Sequence, residues 1–391
     1  MHRYKILAAA VFIELLIGFQ YTWPIFDRIL QDQYGLKAGQ TQSVFSVAVV
    51  SFAISFTIVG RLINRIGPRV TSIIGAVVYG TGLVVAGLGG AKESTLLLGT
   101  GVLLGVGIAF GYIGPIITAV KWFPEHKGVV TGLVIGAFGS GAFFLGGVIR
   151  ILLGFGLTIF HIFAVLGLTG LFGVILLSFW MKEPVEVDAE VIERKGRLPK
   201  GLLSSGHFWA LVAAFFTGTF AGLTIVGSLE MIGQTLGAPE PWLKACVLVF
   251  GIGNAAGRAG WGALIELAGA RRAVTAALGL QTVFIVVLIF AGHIGPVFAA
   301  LAFLIGFNYG GNFVLYVTEV AHTYGADRVG TVYGLIYVIY VASGLTGPGA
   351  AGFSRDHWGG YVPAMALAAA VALAGAAAFV ALYRRPERAG L

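Results

Sequence analysis

Charge is scarce in this chain: only 11% of its 391 residues are Asp, Glu, Lys or Arg, against about a quarter in an ordinary soluble domain. With a mean hydropathy of +0.92, a water-soluble fold has nowhere to hide the apolar surface, whereas lipid allows the exterior to be apolar too. Cysteine is nearly absent. Cys246 stands alone, which excludes an intramolecular disulfide and a Cys-rich metal site. Histidine pairs at metal-ligand spacing are missing from the apolar runs, and Ser, His and Asp form no recognisable hydrolase order. The segment Gly251-Ile-Gly253-Asn-Ala-Ala256 fits a dinucleotide pattern, but it lacks a preceding strand and lies inside an apolar run, so it reads as close helix packing. No enzyme activity, metal or cofactor is expected. The net charge of +8 falls between the apolar runs, so the expected partner is an anionic bilayer surface and not nucleic acid. A cleavable signal peptide is not expected either, because the run from Ile6 continues to Phe26 and reads as a first span.

What is present is apolar length. About 20 apolar residues cross the hydrocarbon core as a helix, and that ruler predicts spans near 6–28, 42–63, 70–90, 95–120, 128–150, 157–181, 207–234, 242–265, 271–291, 295–319, 329–352 and 361–383. Nothing alternates like barrel strands. The predicted fold is an all-α membrane protein of twelve transmembrane helices in two pseudo-symmetric six-helix bundles, 1–181 and 207–391. The one long polar segment, 182–206, joins them. Glycine is abundant, 60 residues, about twice the usual share, as close backbone approach in lipid requires.

Orientation follows from Lys and Arg in short loops. With both termini inside, the inner segments hold Arg3, Lys5, Arg61, Arg65, Arg69, Lys121, Lys127, Lys182, Arg194, Lys195, Arg197, Lys200, Arg271, Arg272, Arg328, Arg384, Arg385 and Arg388. The outer segments hold only Arg28, Lys37, Lys92, Arg150, Lys244 and Arg355. Both termini and the linker are therefore expected in the cytoplasm, with the chain in the cell inner (plasma) membrane.

Arg258 belongs to no loop. A guanidinium near mid-span costs about 2.5 kcal/mol or more if it faces lipid, and it does not readily lose its proton. Two readings stand: a buried salt bridge with Glu230 or Glu14, or a site for a substrate carboxylate, whose geometry the planar fork matches. Asn254 lies one turn away on the same face. Tyr112, Tyr309, Phe313, Tyr337 and Tyr340 also lie mid-span and supply hydroxyls and an apolar wall, or pack in the core. Asn308 and Asn312 either donate further hydrogen bonds or link helices. Glu14 and Glu230 are the protonatable groups inside spans, with a neutral helix-linking hydrogen bond as the alternative role.

The chain also repeats itself. Gly60-Arg-Leu-Ile-Asn64-Arg-Ile-Gly67-Pro-Arg69 closes the second span, and Gly262-Ala-Leu-Ile-Glu266-Leu-Ala-Gly269-Ala-Arg271 closes the eighth. This pair resembles the loop signature of the major facilitator superfamily, although Asn64 stands where that family usually has Asp. Further segments resemble its monocarboxylate transporter and oxalate/formate antiporter branch: Gly18-Phe-Gln-Tyr21-Thr-Trp23-Pro, Lys121-Trp-Phe-Pro124, Asn308-Tyr-Gly-Gly-Asn312-Phe313 and Val332-Tyr-Gly334. The resemblance implies alternating-access transport of small organic anions, and it makes Arg258 the substrate-binding arginine. Asn254 occupies the place of an Asp implicated in proton coupling in animal-type relatives, and it cannot titrate. Tyr340 stands where oxalate exchangers carry Lys. With no second base inside the spans, one carboxylate per substrate is expected. The expected activity is secondary transport of lactate, pyruvate or formate with a proton, by a monomer, with Glu230 as first proton carrier and Glu14 as second; the alternative is anion exchange.

Overall fold

The computed structural model describes residues 2–182, 199, 201–325 and 328–383. Most of the expected linker and Arg384, Arg385 and Arg388 lie outside the described residues, as does the side chain of Asn64. The spans become long helices: α1 (Arg3–Tyr34), α2 (Ala38–Ile63), α3 (Arg65–Gly89), α4 (Glu93–Trp122), α5 (Gly128–Gly154), α6 (Ile159–Ser178) and α7 (Gly206–Val226). After α8 (Glu240–Ala268) come α9 (Ala270–Ala291), α10 (Gly295–Tyr324), α11 (Val329–Trp358) and α12 (Val362–Leu382). Among the described residues eleven of these are apolar enough to cross a membrane. The exception is α8, which is long enough at 29 residues but carries Asn254 and Arg258. The expected span over 207–234 is interrupted, because α7 stops at Val226 and a separate short helix, Leu229–Leu236, follows.

Helices α1–α6 pack among themselves, and so do α7–α12. The two sets meet chiefly where α2 lies along α11 and α5 along α8. The repeated loops have matching backbones. Gly67 and Gly269 both have φ of 77°, with ψ of 162° and 156°, a conformation that favours glycine. The arginines that follow are matched too. Arg69 donates to the Phe179 carbonyl at 2.8 Å, and Arg271 donates to the Val380 carbonyl at 3.2 Å. Each thus ties the third helix of its set to the last turn of the sixth. These loops and the described residues that flank the linker, Lys182 and Gly201, lie on one face, the linker face; the opposite one is the far face.

Two features bring backbone and side chains to the centre. First, α1 narrows to a 3-10 turn over Gly18–Thr22, and α5 is interrupted at Ser140. The interruptions touch, so that a Cβ added at Gly18 would lie 2.7 Å from the Phe138 carbonyl oxygen and 2.8 Å from the Gly141 Cα. Second, α8 and α10 are zipped through glycines. A Cβ at Gly253 would strike the Phe303 carbonyl and one at Gly257 the Phe307 carbonyl, while Gly306 and Gly310 fit against the carbonyls of Phe250 and Asn254. Small residues four apart on both helices allow this backbone contact, the usual means of helix association in lipid.

Candidate functional site

Arg258 follows directly on that zipper, which fixes its Cα against α10. Its side chain is 4% exposed. Nε donates to Asn254 Oδ1 at 3.1 Å, the one-turn pairing within α8, and Nη1 reaches the Tyr112 hydroxyl on α4 at 3.5 Å. The guanidinium carbon lies 5.5 Å from the centre of the Phe313 ring and 5.9 Å from that of Phe138, close enough for cation–π attraction of about 0.5–2 kcal/mol each. Among the described residues no carboxylate forms an ion pair with Arg258. A buried cation held by an amide, by hydroxyls and by ring faces, with no carboxylate in ion-pair reach among the described residues, presents an outer fork that suits a carboxylate.

The expected aromatic residues gather around it. The Tyr309 and Tyr340 hydroxyls are 2.7 Å apart. Phe313 packs edge-on against both rings at 5.4 and 5.6 Å. Tyr337 stands 5.2 Å from Tyr340 and 5.0 Å from Phe56 of α2, so rings of both helix sets meet. In a hydroxyl pair one O–H is donated within the pair, which leaves the other for a third group.

Asn308 does not face this group. Its amide donates to the Ala277 carbonyl at 2.7 Å and to Gln281 at 3.1 Å, and its oxygen accepts from Trp261 at 3.1 Å, so it links α8, α9 and α10. Asn312 is buried, and its carbonyl oxygen has no hydrogen-bond partner; it lies against Gly218 of α7.

The two acidic residues part company. Glu14 on α1 is fully buried, and neither carboxyl oxygen has a hydrogen-bond partner. The cation that acts on it through space is Arg258. Glu230 lies instead at the far face in the short helix after α7, paired with Arg150 of α5 and 3.9 Å from Arg28 of α1. Neither acid forms the salt bridge with Arg258 that the sequence left open. A cleft of about 660 Å³ opens beside Glu230, lined among others by Arg28, Asp32, Arg150 and Glu240.

Residues not singled out from the sequence also belong here. Tyr21, in the 3-10 turn of α1, packs on Phe138 at 5.3 Å, Tyr309 at 6.1 Å and Phe250 at 6.2 Å. Phe138 itself stacks edge-on against Tyr112 at 4.9 Å. The signal for Tyr21 was present in the glycine- and proline-flanked segment around it; Phe138 had none.

This architecture is that of a multi-pass membrane protein. The Major Facilitator Superfamily model matches residues 8–348 and again 247–390, and the chain belongs to that family. It is 26% identical over 343 residues to the uncharacterized MFS-type transporter YhjX of Escherichia coli, covering 86% of this chain and 84% of that one. It is 25% identical over 357 residues to the oxalate:formate antiporter of Oxalobacter formigenes, covering 89% and 84%. With the apicoplast pyruvate carrier 1 of Toxoplasma gondii it shares 22% identity over 355 residues, 72% of this chain and 63% of the relative.

Proposed function

We propose that the protein is a secondary transporter of small monocarboxylates of the lactate, pyruvate or formate type, coupled to a proton. In this reading 1–181 and 207–391 are domains that rock about the shared site of one monomer, with the linker face cytoplasmic. The observation that carries the reading is the single buried guanidinium without a carboxylate, enclosed by aromatic rings and hydroxyls where the two helix sets meet. One fixed cation offsets one substrate charge. A second carboxylate in the same low-dielectric site would cost several kcal/mol. Formate and pyruvate, in the names of two relatives, support this substrate class, whereas oxalate, in the first of those names, is a dicarboxylate.

Glu14 is the better proton carrier of the two acids. An ionised carboxylate without any hydrogen-bond partner is costly to bury, whereas Glu230 is held by arginines. A substrate carboxylate held by Arg258 would add a second negative charge beside Glu14, which ties substrate and proton to the same step. Exchange is the second reading, favoured by Asn254, which cannot titrate, and by the antiporter relative.

Proteoliposome uptake of labelled lactate, with and without an imposed pH gradient, tests the proposal. Gradient-driven uptake is expected, lost in Glu14→Gln while counterflow between equal pools persists. Uptake only against internal anion would leave exchange as the mechanism. No uptake of lactate, pyruvate or formate under either condition would overturn the substrate class.

A further inference from the structure

The hydrogen bonds and ion pairs that join the two helix sets at the far face share one polarity. Arg28 of α1 donates to Glu240 of α8 through both outer nitrogens, at 2.7 and 3.2 Å. Arg150 of α5 holds Glu230. Gln42 of α2 donates to the Gly227 carbonyl at 3.2 Å. Ala38 and Gly39 of α2 donate their backbone N–H groups to Asp356 of α11, at 3.0 and 2.8 Å, one to each carboxylate oxygen. Gln31 of α1 donates to the Tyr361 hydroxyl at 3.4 Å. Among the described residues the donors come from the first helix set in every case, and the acceptors from the second.

The Asp356 contact is unusual on both sides. The N-cap residue of α2 is Lys37, in extended conformation, and an ammonium cannot accept from the free N–H groups of the first turn as Ser, Thr, Asp or Asn would. The missing acceptor comes from the other helix set. Asp356 in turn lies in the last turn of α11, where the helix dipole disfavours a carboxylate; the positive end of α2 offsets that. The contact needs glycine at two places. A Cβ at Gly39 would lie 2.6 Å from Asp356 Oδ2, and one at Gly352 would lie 2.8 Å from the Gly39 Cα.

We propose that Asp356 is a conformational latch, capping α2 across the domain boundary only while the far face is closed, and that Arg28–Glu240 and Arg150–Glu230 close with it. Opening the far face strips α2 of its cap and returns the carboxylates to water, so the latch biases the resting protein toward the closed arrangement. The inference rests on alternating access but not on the identity of the substrate.

The test reads accessibility, not transport. Phe45 is 1% exposed and lies about two turns into α2 from the far face, packed against Gly227 of the other set. In a Cys246→Ser background, Phe45→Cys is labelled with a hydrophilic maleimide in nanodiscs. Asp356→Ala is expected to raise the labelling rate about fivefold, the population change that loss of one helix cap gives. Adding Lys37→Ser, which gives α2 a cap of its own, should leave labelling fast. An unchanged rate in Asp356→Ala overturns the latch. A rate restored by Lys37→Ser overturns it equally, because Asp356 would then serve only the helix end. Neither outcome depends on lactate, so failure of the substrate proposal is read separately.

Discussion

Replacing Arg258 by Lys keeps the charge and removes the shape. In the wild-type site Nε is engaged by Asn254 at 3.1 Å and Nη1 is 3.5 Å from Tyr112. On the proposed function, a substrate carboxylate would therefore be met end-on by the two outer nitrogens. Lysine offers one point of contact in place of that fork. Losing one charge-assisted hydrogen bond costs about 1.5–3 kcal/mol; at about 1.36 kcal/mol per decade that is roughly 10- to 150-fold weaker binding. Half-saturation of lactate uptake and displacement of bound label in proteoliposomes both measure it. Tyr112→Phe is the companion. Its contact is at the limit of hydrogen-bond length, so it should change the same quantity by less than about threefold. Lactate affinity within twofold of wild type in a stably folded Arg258→Lys protein would refute the carboxylate-fork argument and remove Arg258 from the site.

Substrate charge gives a second prediction: lactate or pyruvate should compete for uptake, while oxalate and malonate compete poorly at neutral pH. Tyr340→Lys should shift preference toward the dicarboxylates, measured as the ratio of the two inhibition constants; oxalate displacing lactate at equal concentration in wild type would point to a second cation. The zipper between α8 and α10 gives a third. Gly257→Ala should destabilise by about 1–3 kcal/mol, read as a lower melting temperature in detergent, since the Phe307 carbonyl it strikes is backbone. Gly349→Ala, with nothing within 4 Å, should leave that temperature unchanged.

Much of this was legible in one dimension because lipid imposes a length on every helix. Arg258 declared itself because a guanidinium inside an apolar run needs a reason. Its neighbours Asn254, Tyr309 and Phe313 follow from helical spacing along α8 and α10. What stayed hidden depends on pairing across long separations. Glu230 reads as an isolated acid until Arg150, 80 residues earlier, is folded beside it. Tyr21 and Phe138 enter the site only because two interrupted helices touch at Gly18 and Gly141, and no periodicity announces an interruption. The break after Val226 falls at Gly227-Ser228, a pair that a ruler of apolar length reads straight through.

The zipper between α8 and α10 has a consequence for how a bound anion is carried. Contacts made backbone to backbone leave no side-chain slack, so the two helices travel as a single strut. Arg258, Asn254, Tyr309 and Phe313 all ride on it. The cation, its orienting amide and part of the ring wall thus keep their mutual geometry throughout a cycle. In the proposed cycle the opposite wall, Tyr21, Tyr112 and Phe138, is the part that would move past them. On the proposed function, a cargo seated on such a strut would be gripped with much the same hold at loading and at discharge, and direction would be left to gradients and not to a change in grip.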